Sequence, residues 1–376
     1  MSDYINIETC DFSNDASASS FGWNFQSNAG IFLFLKYIKE SKSIKIESKL
    51  QDIEIELRDG NKILAQAKSA QDYSIAKDKK EKFKDAIISL AKYQKETNQM
   101  IYISNIPDML ESAGGAFNNN IVSYDSCLNA TKKEIDDIFE TVYASLSKRI
   151  DKENDNKKKT KLLTIQQSVK SFDKTKLHFS VVYPFFGDEK NRYQAMGDSI
   201  ITFLVDVIKL GRDDAISIKQ RLLEHWQLKF QHNSTEPDKG TQKSIGKEEF
   251  AWPIAVYLIE DSNIDIDDCL TFTPDNAFKK EVDRKLSSTE MLFHERFEFS
   301  NVVIQDYSSF KKQQPLGTKD VERLFVKQCG NKYYKEFFCE NMDEEMCEYM
   351  TKIYIYRIII NYINVNKISS GIGVMI

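Results

Sequence analysis

The run Asp52-Ile-Glu-Ile-Glu-Leu57 alternates polar and apolar residues, and a second run, Lys62-Ile-Leu-Ala-Gln66-Ala-Lys68, follows the turn residues Asp59-Gly60-Asn61. Alternation at a period of two is the signature of a strand, so residues 52–68 are confined to a β-hairpin. Ile53, Ile55 and Leu57 fall on a buried face, and Asp52, Glu54 and Glu56 on a polar one. On the return strand Gln66 and Lys68 share a face, while Ala65 and Ala67 point the other way and leave room for a closely packed helix. Asp52 shares a face with Lys68 only if the loop has an odd number of residues. Asp59-Gly60-Asn61, with Gly or Asn in the left-handed region, meets that condition, and a two-residue turn sets the two groups apart.

A carboxylate and a lysine on one face of a hairpin can hold Mg²⁺ and activate water against a phosphodiester. The same alternation also describes an ordinary hairpin with charges on its wet side, so the flanks matter. Upstream, Gly22-Trp-Asn-Phe-Gln26 introduces an apolar helix over Ile31–Ile38, and a strand from Ser43 ends in the further carboxylate Glu47. Downstream, Lys77–Gln99 places Phe83, Ile87, Leu90 and Ala91 on one helical face, and Met100–Ile106 is an apolar strand that stops at Pro107. The expected order is helix, three strands, helix, strand.

Over roughly the first hundred residues this pattern resembles the PD-(D/E)xK, restriction-endonuclease-like superfamily, and more closely the anti-phage nuclease domain of CBASS and Lamassu effectors. Gly22, Gln26, Glu47, Asp52-Ile53 and Gln66-Ala67-Lys68 carry the resemblance. It implies an α/β nuclease domain, a mixed sheet flanked by helices, followed by a mainly α-helical C-terminal domain. It also implies that Asp52 and Glu47 bind Mg²⁺, with Mn²⁺ as a substitute. Gln66 supplies an amide oxygen, Lys68 activates water and stabilises developing charge, and Gln26 supports them. In the broad superfamily the position of Gln66 is more often Asp or Glu, so this chain follows the Gln-x-Lys branch with one anionic ligand fewer.

A length of 376 residues suggests two domains. The six cysteines show no Cys-x-x-Cys spacing, and none of the four histidines joins them at zinc-ligand spacing, so free thiols in a cytoplasmic protein are expected. A net charge of −5 argues against a chain that coats nucleic acid non-specifically, so DNA needs a local positive path. Lys77–Lys84 has acids interspersed and reads as a solvated helix face. The run containing Lys157, Lys158, Lys159 and Lys161 is the better candidate for phosphate contact. It lies in the polar stretch 151–162, which reads as a linker between a nuclease domain at 1–150 and a regulatory domain at 163–376.

Beyond it, Leu177–Phe186 suggests a strand, Ala195–Leu210 and Ala215–Phe230 helices, and Lys247–Glu260 a strand or buried helix. Lys319–Cys339 and Met342–Val365 read as helices, and the apolar segment 353–365 is too short and too polar to span a bilayer, which takes roughly 20 apolar residues. Gly240–Glu248 imitates a phosphate-binding loop, but with five residues between the glycines where four are needed, and Glu248 replaces the Ser or Thr that would hold Mg²⁺. This half is similar to the second half of Lamassu nuclease subunits of the ABC three-component group. That likeness implies partnership with an SMC-type ATPase and a small third subunit, and double-stranded DNA cleavage switched on by release and self-assembly into a homo-oligomer. The short, polar 353–365 segment gives the expectation of no membrane partner. A CBASS-type effector sensing a cyclic oligonucleotide and a catalytically inactive interaction subunit are the alternatives.

Overall fold

Residues 52–68 form the expected hairpin. In this computed structural model, which describes residues 16–71, 79–185, 188–235, 244–260, 265–293, 297–314, 317–334 and 343–373, β2 (Ile53–Leu57) pairs antiparallel with β3 (Lys62–Lys68). Leu57 N–H donates to Asn61 at 2.8 Å across a three-residue loop, Arg58 to Gly60, in which Gly60 takes φ 83°. The odd loop sets Ile53 opposite Ala65 and, continuing that register, Asp52 opposite Gln66. Asp52, Gln66 and Lys68 therefore share a face.

The polar face is not wet along its length. Glu54 is buried, its charge met by Lys62 at 2.7 Å, and Gln66 is buried too. Helices cover both sides of the sheet. The helix α1 (Ala16–Tyr37) lies on the face of Ile44 and Ile46, and at Gly30 the approach is so close that a Cβ would strike the Ile46 side chain. The helix expected at Ile31–Ile38 thus begins far earlier, and Gly22 and Gln26 lie within it. On the other face Phe83 of α2 (Lys79–Lys92) packs 4.9 Å from Tyr102 and 5.4 Å from Phe179, ring centre to ring centre. Ile87 and Leu90, from the expected helical stripe, are buried in the same core.

The sheet has seven strands in the order β5-β6-β4-β3-β2-β1-β7. It includes β1 (Ser41–Ile46), β4 (Gln99–Ser104), β5 (Val122–Ser123), β6 (Leu177–Val181) and β7 (Ile245–Gly246). Pairs β3/β4 and β4/β6 are parallel and the rest antiparallel, so the sheet is mixed. Parallel neighbours need long crossovers. One contains α2; the other contains α3 (Asn129–Lys152) and α4 (Asn156–Lys170).

That second crossover corrects the expected domain boundary. The polar run 151–162 is no linker: Asp155 caps α4 by accepting from the N–H groups of Lys157 and Lys158, and Ile150, Leu162, Ile165 and Val169 are buried in the core shared with α2 and α3. Its charges are the outer face of two helices. The segment beginning at Leu177 belongs to the same sheet, and its strand ends at Val181; Phe186 lies outside the described residues. One compact unit comprises 1–203 and 223–247, the other 204–222 and 248–376.

The first unit also contains α5 (Glu189–Thr202) and the later part of α6 (Arg212–Thr235). The helix expected to run from Ala195 to Leu210 instead leaves α-geometry after Thr202 for a π-turn at Phe203–Val207. Gly246 of the imitation phosphate loop pairs with Ser43, and the buried Lys247 donates to the Lys39 carbonyl at 2.9 Å, so that lysine is committed to the fold. Residues 240–243 of that motif lie outside the described residues.

The described part of the second unit is helical: α7 (Lys247–Glu260, which settles the strand-or-helix alternative), α8 (Asn276–Phe293), α9 (Phe297–Lys311), α10 (Thr318–Cys329), α11 (Glu344–Ile360) and α12 (Tyr362–Ile372). The long C-terminal helix expected over 342–365 breaks at Asn361, whose side chain donates to the Arg357 carbonyl at 3.0 Å. Within this unit Lys352 is buried with Glu348 at 2.6 Å and also donates to the Cys269 carbonyl at 2.8 Å. Among the described residues no helix is long and apolar enough to cross a membrane, and Cys127, Cys269, Cys329 and Cys347 are free thiols.

Candidate active site

The strand β1 stops at Ile46, and Glu47 turns out of it with φ 56°, in the left-handed region that disfavours a side chain. Its N–H donates to the Asp52 carbonyl at 2.7 Å and closes the β1–β2 hairpin. The connecting loop is held from within: Ser48 Oγ accepts from the N–H groups of Leu50 and Gln51 at 3.2 and 3.1 Å. The β1–β2 register sets Glu47 opposite Asp52 at the end of the sheet, close enough for the Asp52 charge to raise the Glu47 carboxyl.

Asp52 Oδ2 accepts from the Ala67 N–H at 2.9 Å and from the Gln66 side-chain amide. Gln26, from α1, hydrogen-bonds both Asp52 and Glu47. Burial pushes the Asp52 carboxyl above its ordinary range, while the charge of Lys68 and the hydrogen bonds from Ala67, Gln26 and Gln66 pull it back. Burial also raises Glu47, the neighbouring Asp52 charge raises it further, and Gln26 and Lys68 oppose both. Glu47, Asp52, Gln66, Lys68 and Gln26 thus meet in one cluster assembled from four elements of the first unit.

Two carboxylates held above their usual range by desolvation, with the Asp52 charge adding to the rise at Glu47, are relieved by a cation. Among the described residues no three His, Cys, Asp or Glu side chains gather where they could hold a metal ion, so the cluster is not an all-protein cage. Mg²⁺ commonly takes one or two carboxylates and completes its shell with water and substrate phosphate, and Glu47 with Asp52 fits that description. Gln66 fits as a ligand through its amide oxygen, since its nitrogen is the atom turned to Asp52.

Lys157, Lys158, Lys159 and Lys161 stand on the first turns of α4, and the lysine acting on both carboxylates is Lys68. In the other basic run Lys80 pairs with Glu134 at 3.2 Å and Lys82 donates to the Ser69 carbonyl at 2.8 Å, while Lys77 lies outside the described residues.

Two residues were not marked by the sequence. Asp85, on α2, is near enough for the Lys68 charge to act on its carboxyl; its only signal is a position two after Phe83, off the apolar stripe. Gln51 is buried, donating to the Ser89 carbonyl at 2.9 Å and accepting from Ser89 Oγ at 3.1 Å, which ties the Glu47–Asp52 loop to α2. No residue type in that loop announces this bond. No protein-family model, curated protein or solved structure matches the chain.

Proposed function

We propose that this chain is a Mg²⁺-dependent DNA endonuclease of the PD-(D/E)xK type. The observation that supports it most is the convergence of Glu47, Asp52 and Lys68 at one sheet end, with both carboxylates raised above their usual range. Mg²⁺, or Mn²⁺ in its place, would supply charge neutralisation at the phosphate and a more acidic bound water. Asp52 would be its central ligand and Glu47 the second, directly or through water. Lys68 orients the attacking water and meets the charge that builds on the oxygens of the phosphorane, where a fixed cation in a partly dry site is most effective. Gln66 and Gln26 hold Asp52 and Glu47 in place through side-chain amides.

In this reading the protein is the cytoplasmic nuclease effector of a Lamassu-like anti-phage defence system. An SMC-type ATPase and a small third subunit restrain it, and release with self-assembly activates it. The sequence resemblance supports that placement. The experiment is cleavage of plasmid and linear duplex DNA by the full chain with Mg²⁺ over a range of protein concentrations, beside Asp52→Ala and Lys68→Ala. Cutting that rises steeply with concentration and vanishes in both variants supports the reading; cutting that survives either substitution sinks it.

One observation favours a second reading, a catalytically inactive interaction subunit. Gln66 donates to the very carboxylate oxygen that also takes the Ala67 N–H, so that atom's hydrogen-bonding capacity is already met by protein. Calorimetric titration with Mg²⁺ separates the two, because an inactive cluster of this kind takes up no metal that depends on Asp52.

A further inference from the structure

One side of α1 carries Gln26 toward Asp52. The neighbouring side carries Ser20, Trp23, Asn24 and Ser27, spaced i, i+3, i+4 and i+7, along a groove of about 460 Å³. Tyr193 of α5 and Gln227 of α6 line it as well, and with Asn24 they also border a smaller hollow reached by Arg192. The volume lies in the range of small-molecule sites.

Ser27 gives the groove a demand. It is 2% exposed, it lines the groove, and its hydroxyl has no hydrogen-bond partner. A helical serine commonly satisfies itself on the carbonyl four residues back, and this one does not. The amides nearby are already oriented. Asn28 Nδ2 donates to Asn24 Oδ1 at 3.2 Å, and Gln227 Nε2 donates to Asn28 Oδ1 at 2.9 Å. That network leaves the Nδ2 donor of Asn24 and the Oε1 acceptor of Gln227 for an occupant.

We infer that this groove is a nucleobase subsite that takes one base of the DNA strand held at the Asp52 cluster. The inference rests on the nuclease reading and adds to it a local preference for an unstacked base. Half-buried Trp23 and Tyr193 offer faces for stacking, which any base accepts. A donor and an acceptor on side-chain amides match the in-plane edge of a base, and the Ser27 hydroxyl adds a third position. Glu224 on the groove wall disfavours an inward phosphate, so the base enters and the backbone stays outside, where Arg192 is the nearby cation. Trp23 and Gln26 are i, i+3 neighbours on α1, so the groove runs beside the helix face that reaches the Asp52 cluster.

The test uses the full chain in EDTA with short single-stranded and mismatched duplex oligonucleotides carrying 2-aminopurine at successive positions. Stacking against Trp23 quenches the fluorescence at one position. Trp23→Ala weakens that signal about tenfold to a hundredfold, as loss of one stacked base does. Asn24→Ala and Ser27→Val weaken it less, and Trp23→Phe restores most of it. Quenching that ignores Trp23→Ala, or that Trp23→Phe does not rescue, overturns the inference. The two readings fail separately. Asp52-dependent cutting without position-specific quenching removes the base subsite and keeps the nuclease; groove-dependent quenching in a protein that cuts nothing keeps the subsite and removes the nuclease.

Discussion

Replacing Gln51 loosens the candidate site without touching it. The helix α2 ends at Lys92, and Tyr93 N–H turns back to the Leu90 carbonyl at 3.1 Å, so the Ser89 carbonyl is among the last acceptors of the helix without a donor four residues on. Gln51 Nε2 supplies that donor, and Ser89 Oγ returns a bond to Gln51 Oε1. Two side-chain hydrogen bonds at roughly 0.5–1.5 kcal/mol each put the cost of Gln51→Ala at about 1–3 kcal/mol. Ser89→Ala keeps the bond to its own carbonyl and loses about half as much. Gln51→Glu keeps the acceptor but loses the donor, and it leaves a carboxylate buried against the negative end of α2, so desolvation and the helix dipole together make it worse than Gln51→Ala by more than about 1 kcal/mol at neutral pH. That excess disappears at acidic pH, where a protonated Glu donates again. Urea unfolding ranks the three, with Gln51→Glu least stable and Ser89→Ala most. Hydrogen exchange then quickens over residues 48–52 and the last turn of α2, with DNA cutting lowered in parallel. A Gln51→Ala protein within about 0.5 kcal/mol of the parent, the range of ordinary surface substitutions, refutes the clamp. So does a Gln51→Glu protein no worse than Gln51→Ala.

Three further outcomes follow from the same geometry. Glu47 sits at φ 56°, which costs a non-glycine residue about 1–2 kcal/mol, so Glu47→Gly keeps or raises metal-free thermal stability while abolishing Mg²⁺-dependent cutting; a clear fall in melting temperature contradicts this. Burial holds the Asp52 carboxyl above its ordinary range despite Lys68, so the folded chain binds its proton more tightly than the unfolded one and loses stability as pH rises through that raised value. Asp52→Asn therefore raises the melting temperature without metal on the alkaline side, with no gain at acid pH, whereas Mg²⁺ binding by the parent weakens as pH falls through the same range. In the second unit, burial alone would raise Glu348, yet the bonds from Lys352 and Thr271 bring it below its ordinary range. Lys352→Met strands that carboxylate at a cost of about 3–5 kcal/mol, and adding Glu348→Gln recovers most of the loss; a double variant as unstable as the single one contradicts the pairing.

The hairpin was legible because alternation and a short glycine turn are local properties. Loop parity alone set Asp52 on the face of Lys68, and the structure has that parity. The domain boundary was not legible, because the charges of residues 151–161 report only the solvent side of α3 and α4. Their buried partners, Ile150, Leu162, Ile165 and Val169, flank the run rather than interrupt it. Strands returning from a distance were equally hidden: β6 pairs with β4 across 77 residues, from Met100 to Leu177, and β7 has only two residues in which to show a pattern. The burial of Glu54 depends on Lys62 opposite the neighbouring strand position, a pairing invisible until the register is known.

The site itself shows the same division between residue identity and placement. Glu47, Asp52, Gln66 and Lys68 were marked by their chemistry, but spacing alone would continue β1 through Glu47 as an extended strand. The left-handed turn changes that, and it persists because the Asp52 carbonyl, the Ser48 hydroxyl and the Gln51 clamp all fix the loop around it. The extension of α1 back to Ala16 has the same kind of consequence. Read as a preamble to a helix, Trp23, Asn24 and Ser27 share nothing; inside a helix they form one side of a groove, a turn away from the glutamine that touches both carboxylates. Cutting and base recognition would then share a single rigid element, so a substitution that shifts α1, such as Gly30→Ala against Ile46, should disturb both at once.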